Sequence, residues 1–305
     1  MKKALMLLGA MVLIMALILP GCSKPGIVVG SKIDTEGALL SQMIIAMLED
    51  NGIEAIDKSE FGPTSVVRKA IISGEIDIYP EYTGNGAFFF DEADSGVWKD
   101  ARQGFERVKM LDLAANNIVW LKSAPANNTW AIAIPKTLSE KEGLSSLDDF
   151  AAYINSGGYV KLIGSEEFIT SPMAMPSFQE AYGFSLTRDQ LITLSGGNTA
   201  QTEKAAAEGT DGVNAAMAYG TDGSLAALGL VVLSDPRNVQ PVYEPAPIVR
   251  REVLDQYPEL ATILNPVFQS LDLETLQSLN AKIAFEGQAA ADVARDYLTA
   301  KGFLK

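Results

Sequence analysis

The side chains from which this 305-residue chain could build chemistry are sharply restricted: there is no histidine, and the one cysteine is Cys22. A Ser-His-Asp or Cys-His catalytic unit is therefore excluded, as are the imidazole and thiolate ligands that usually hold zinc. Carboxylates are plentiful, 38 Asp and Glu against 24 Lys and Arg, so paired-acid chemistry or carboxylate-held Mg²⁺ stays formally open. The resulting net charge of −14 argues against nucleic acid as a partner, because phosphate binding needs clustered Lys and Arg. Acidity alone names no ligand, since many solvated surfaces are acidic. No metal, no cofactor and no enzymatic activity is expected.

Cys22 has its own explanation. Lys2 and Lys3 open the chain, residues 4–20 carry no charge, and Leu19-Pro20-Gly21-Cys22 leads into polar Ser23 and Lys24. The apolar run is short for a membrane span and fits the core of a secretory signal. Its end resembles a lipobox, in which the cysteine is acylated and becomes the first mature residue, although Pro20 is an unusual neighbour for that glycine. Residues 1–22 are thus expected to be a signal peptide with lipobox. The protein would be exported and tethered on the periplasmic or cell-surface side of a membrane by lipidated Cys22. Cleavage would remove two basic and no acidic residues.

The elements that must position any site alternate short apolar runs with helical stretches, the mark of an α/β fold, and the length suits two lobes. Residues 26–30 read as a strand. Residues 36–51 carry apolar side chains at helical spacing and stop at Gly52, a natural C-terminal signal. A strand at 53–56, a helix at 64–73 ending at Gly74 and a strand at 76–79 complete a doubly wound start. Later strands are expected at 117–121, 130–134, 160–163, 213–218, 229–233 and 246–249. Helices are expected at 99–113, 146–156, 177–182, 198–208, 275–285 and 289–301. Asn127-Asn128-Thr129-Trp130 and Gln240-Pro241-Val242-Tyr243-Glu244-Pro245 flank apolar runs and suit crossings between lobes. Two crossings give a discontinuous first lobe, 27–129 plus 243–305, and an inserted second lobe, 130–242.

Four stretches carry a resemblance: Gly30-Ser31-Lys32-Ile33-Asp34-Thr35-Glu36; Ile76-Asp77-Ile78-Tyr79-Pro80-Glu81-Tyr82-Thr83-Gly84; Asn127-Asn128-Thr129-Trp130-Ala131; and Ala218-Tyr219-Gly220-Thr221-Asp222-Gly223. In order and spacing they resemble the substrate-binding proteins of glycine betaine/choline/carnitine-type (osmoprotectant) ABC transporters, most closely the YehZ/OsmF-like branch. The resemblance spans nearly all of the chain after the signal segment. It implies a two-lobed periplasmic-binding-protein fold of type 2, with a ligand cleft between lobes and two hinge crossings. It also implies capture of a quaternary-ammonium solute and delivery to permease and ATPase subunits, by a monomer.

Carried over residue by residue, the family's aromatic box falls on Tyr82, Trp130, Tyr219 and Tyr243. The choice is physically sensible. A trimethylammonium group is a diffuse cation without N–H, so aromatic faces must hold it, each contact worth roughly 0.5–2 kcal/mol. Tyr and Trp also keep a polar edge by which each ring can be anchored. Tyr79, three residues before Tyr82, is expected to be structural. For the polar end of the ligand the resemblance implies Lys32 and Thr35, where a helix N-terminus can face an anion, together with Asn85. Ser171 is the main departure: relatives typically carry there an arginine that clamps the ligand carboxylate. Either betaine is held more weakly, or the ligand differs at its anionic end. Two other readings share the architecture: a binding protein for a polar amino-acid-like solute, and an enzyme or sensor domain.

Overall fold

A computed structural model describes residues 26–304 apart from Asp94 and Gly197; the signal segment and Cys22 lie outside the described residues. The chain is α/β, as expected, and its strands form two five-stranded sheets. In the first, β1 (Ile27–Lys32) runs parallel between β2 (Ala55–Gly62) and β3 (Ile78–Tyr82). Next come β4 (Ile118–Trp120) at the far edge and then, much later in the chain, β10 (Pro245–Arg250), which pairs antiparallel with both β3 and β4. In the second sheet β5 (Trp130–Pro135) lies near one edge. The remaining strands are β6 (Leu162–Ser165), β7 (Leu191–Leu194), β8 (Ala215–Tyr219) and β9 (Leu230–Val232), in the order β7-β6-β8-β5-β9.

The helix Thr35–Asp50 shows why the local sequence folds as it does. Asp34 caps it by accepting the Gly37 N–H at 2.7 Å, an arrangement that satisfies one of the orphan donors of the first turn. Leu39, Leu40, Met43, Ile44 and Leu48 are fully buried. The helix is apolar round most of its circumference because β1 and β2 lie on one side and the helix Ala290–Ala300 on the other. Its N-terminus is thereby fixed at the end of β1, facing the gap between the two sheets.

Departures from expectation have physical causes. The second strand was expected at 53–56 and runs instead from Ala55 to Gly62. It is an edge strand whose outer residues, Asp57, Lys58 and Glu60 among them, are solvated, so no apolar run marks it. The stretch 251–272, for which no element was expected, contains the helices Arg251–Gln256 and Leu260–Gln269, the latter passing through Pro266. Helices Lys136–Glu142 and Glu166–Thr170 and strand β7 are likewise additional to those expected.

Candidate functional site

The two crossings run side by side. Tyr243 donates its N–H to Asn127 Oδ1 at 2.8 Å and accepts the Asn128 N–H at 2.9 Å. Thr83 Oγ1 donates to the Val242 carbonyl at 2.9 Å. The glycine of the Glu81-Tyr82-Thr83-Gly84 stretch has a mechanical role: a Cβ on Gly84 would stand 2.7 Å from the Tyr243 ring. Only a residue without a side chain lets that ring pack this closely on the turn after β3.

Between the sheets lies an inner cavity lined by Lys32, Ile33, Asp34, Pro63, Thr64, Tyr82, Asn85, Asn128, Trp130, Glu167, Tyr219 and Tyr243. The cavity is small, about 50 Å³, and adjoins a larger outer one lined in part by the same residues. Strand register brings the four rings together. Trp130 and Tyr219 are cross-strand partners on β5 and β8, and Tyr82 pairs with Pro245, two residues beyond Tyr243. The Trp130 and Tyr243 ring centroids are 5.6 Å apart at 60°, and Phe168 stands edge-on to Trp130 at 6.3 Å. The Trp130 indole nitrogen is buried without a well-formed hydrogen bond among the described residues, and it lies near enough to the Tyr219 hydroxyl to favour its phenolate. Burial dominates at that hydroxyl and at Tyr82 and Tyr243, pushing all three well above the ordinary range. The phenols are therefore neutral.

The polar residues behave less simply. Lys32 lines the cavity, but its charge is not free for a ligand anion: Nζ lies 2.7 Å from Glu81 Oε1 and 4.7 Å from the centre of the Tyr82 ring. Glu81, fully buried, also accepts from the Tyr79 hydroxyl, the Tyr82 N–H and the Asn85 side-chain amide, each at 2.7 Å. Asn85 thus lines the cavity with its amide likewise turned to Glu81, and Tyr79 is bound into the wall behind it. Thr35 does not line the cavity; Asp34, one residue earlier, does. Ser171 ends the short helix 166–170 and borders, with Phe88, Pro172 and Met173, an outer cavity that adjoins the inner one and shares Pro63, Asn85, Trp130, Glu167 and Tyr243 with it.

Several groups were not singled out from sequence. Glu36, buried, accepts from the Tyr82 hydroxyl (3.0 Å) and the Asn128 amide (2.7 Å) on Oε1, and from the Asn280 amide (2.8 Å) on Oε2. It holds the Tyr82 ring by its polar edge. Asp34 and Glu167 bring carboxyls to the cavity itself. Burial raises both above the usual carboxylate range, against the opposing pull of the Gly37 N–H on Asp34 and of Lys32 on Glu167. Thr64 Oγ1 donates to Glu167 Oε2 at 3.2 Å. Asp34 and Glu36 lie inside the first recognised stretch and Glu167 and Thr64 outside all four, and nothing in a linear sequence says which carboxylates meet.

Beneath Tyr219 sits a second acidic pair. Asp222 accepts the Tyr219 N–H at 2.6 Å and the Thr199 hydroxyl at 3.0 Å, and Glu203 accepts from Ser224. Glu203 Oε1 is buried with no donor among the described residues, and a proton shared with Asp222 would supply one. Burial first, and then mutual repulsion, drives Asp222 well above its ordinary value, and burial raises Glu203. A folded-state pKa above the unfolded one gives stability that is present at low pH and lost as pH rises through the folded value. Glu203→Gln, which supplies a permanent donor, is expected to raise the melting temperature at neutral and alkaline pH and to flatten its fall with pH. Parallel pH profiles for the two proteins would contradict the shared proton.

With an aromatic wall, buried carboxyls, no histidine and no activated nucleophile, the site can surround a small cation. Residues 25–300 match the family described as the substrate-binding domain of ABC-type glycine betaine transport systems. The chain is 56% identical over 297 residues to the glycine betaine-binding protein YehZ of Escherichia coli, covering 97% of each chain. The apo structure of YehZ superposes with a TM-score of 0.69 over 92% of this chain and all of that one. A glycine-betaine-binding protein of Pseudomonas aeruginosa is 33% identical over 276 residues, 88% of this chain and 86% of its own. A glycine betaine/carnitine/choline ABC transporter structure matches in fold, with a TM-score of 0.71 at 20% identity, over 92% of this chain and all of that one.

Proposed function

Because the chain belongs to the family of substrate-binding domains of ABC-type glycine betaine transport systems, we propose that it captures glycine betaine, with choline and carnitine as related solutes, in the cage of Tyr82, Trp130, Tyr219 and Tyr243. It is the binding component of an importer and not an enzyme. The observation that carries the ligand assignment is the meeting of four rings from four distant segments around one small cavity. Each ring offers a negative face to a cation that no hydrogen bond can hold. Glu36 fixes one ring in advance, so less ordering remains to be done on binding.

The lobes in this reading divide at the paired crossings, with 27–129 and 243–305 on one side and 130–242 on the other. Closure about the crossings traps the solute for delivery to the permease. Cys22 anchors a monomer to the membrane, outside the cytoplasm. Support for the anchor is the sequence alone, a charge-free run ending in Leu19-Pro20-Gly21-Cys22.

A thermal-shift panel on the mature protein tests the ligand class. Glycine betaine, choline and carnitine are compared with ectoine and polar amino acids. A solute at 100-fold excess over its Kd stabilises by about 2.7 kcal/mol, a shift of several degrees. Quaternary amines are expected to give it. A shift from an amino acid with none from the quaternary amines would favour the polar-solute alternative.

A further inference from the structure

The inner cavity presents a trimethylammonium zwitterion with a problem. Its two ready donors, Lys32 Nζ and the Asn85 amide, are engaged by Glu81, and the Tyr82 hydroxyl is engaged by Glu36. What remains at the polar side is the Trp130 N–H, the hydroxyls of Tyr219 and Tyr243, and two acids, Asp34 and Glu167. Two ionised carboxyls in a small cavity suit a cation and repel a ligand carboxylate. A carboxyl that keeps its proton does the reverse, because it becomes a donor.

The two acids are not equivalent. Asp34 caps a 16-residue helix and receives the Gly37 N–H at 2.7 Å, contacts that favour its ionised form. Among the described residues Glu167 receives only the Thr64 hydroxyl, at 3.2 Å and on Oε2, which leaves Oε1 of this cavity-lining residue able to carry a proton. The titratable and charged groups around Glu167 are Lys32 at the end of β1, Asp34 just after it, Glu81 on β3, and the phenols of Tyr219 and Tyr243. Lys32 favours its charge, but is already neutralised by Glu81. Its chain neighbour Glu166 is exposed. The Trp130 N–H, buried and without a well-formed partner among the described residues, is a second donor in the same wall.

We propose that Glu167 determines which quaternary-ammonium solutes the site accepts: protonated, it donates a hydrogen bond to the carboxylate of a betaine, and ionised, it favours a cation that has no carboxylate. Betaine binding then takes up a proton from solution, and choline binding does not. Glu167 fills the role left open by Ser171, which lies outside the inner cavity. The inference rests on the quaternary-amine reading above.

Calorimetry of glycine betaine and of choline, in buffers of different ionisation enthalpy at about pH 5.5 and about pH 8, counts the protons. Betaine affinity is expected to fall with rising pH by up to about tenfold per unit, with net proton uptake; choline affinity is expected to hold steady or rise. In Glu167→Gln, whose amide is a permanent donor, betaine binding loses both its pH dependence and its proton uptake, while choline weakens. Equal proton counts for the two solutes would overturn the inference. So would uptake that persists in Glu167→Gln, since another acid would then be responsible. Failure of the underlying reading looks different: neither solute gives heat at any pH.

Discussion

Replacing Glu81 by alanine is expected to cost about 3–5 kcal/mol of folding free energy, the usual result of removing one partner from a buried ion pair. Lys32, 7% exposed, would be left charged and unpaired. The Tyr79 hydroxyl, the Tyr82 N–H and the Asn85 amide would lose their common acceptor. Glu81→Gln keeps acceptor capacity without the charge and should lose less. A cycle with Lys32→Met, read by urea denaturation, isolates the charge–charge part. A Glu81→Ala protein within about 1 kcal/mol of wild type would mean that Lys32 finds another partner or solvent, and the account of the cavity's polar wall would fall with it.

The second large effect concerns binding. Trp130 has the ring best suited to a cation and packs against Tyr243 and Phe168. Trp130→Ala is expected to weaken glycine betaine binding by about 2 kcal/mol, roughly thirtyfold, and Trp130→Phe is expected to recover most of it. Tyr79→Ala is the contrast. Its ring is fully buried behind the cage, so stability should fall while the folded fraction binds almost normally. Equal affinity in wild type and Trp130→Ala, measured by titration of folded protein, would remove Trp130 from the cage.

Sequence patterning made the alternating strands and helices of both sheets legible, because apolar runs bounded by Gly and by Asn/Pro clusters report burial and turns directly. Edge strand β2 was placed too early, since its outward residues are charged, edge strand β7 was not expected, and neither was the helix through Pro266, since proline normally ends a helical reading. The aromatic residues of the cavity came from family resemblance and not from periodicity; a tyrosine at 82 or 219 looks like core packing on pattern alone. Lys32 illustrates the limit most clearly. Its motif suggested a cation waiting for a ligand anion, but the strand pairing of β1 with β3 brings Glu81 against it first. Glu36 closes the first recognised stretch, yet nothing in its linear position says that it ties together Tyr82, Asn128 and Asn280 from three separate segments.

An aromatic cage recognises methyl groups on a positively charged nitrogen, and calorimetry of the mature protein with glycine, sarcosine, dimethylglycine and glycine betaine tests for one most directly. The four ligands share a carboxylate and differ only in methylation. Each methyl buried against the rings adds about 0.8 kcal/mol, before any gain from cation–π contact. Affinity is therefore expected to climb at every step, with glycine betaine bound at least about fiftyfold more tightly than glycine. Glycine binding as tightly as glycine betaine would contradict an aromatic cage for a quaternary amine.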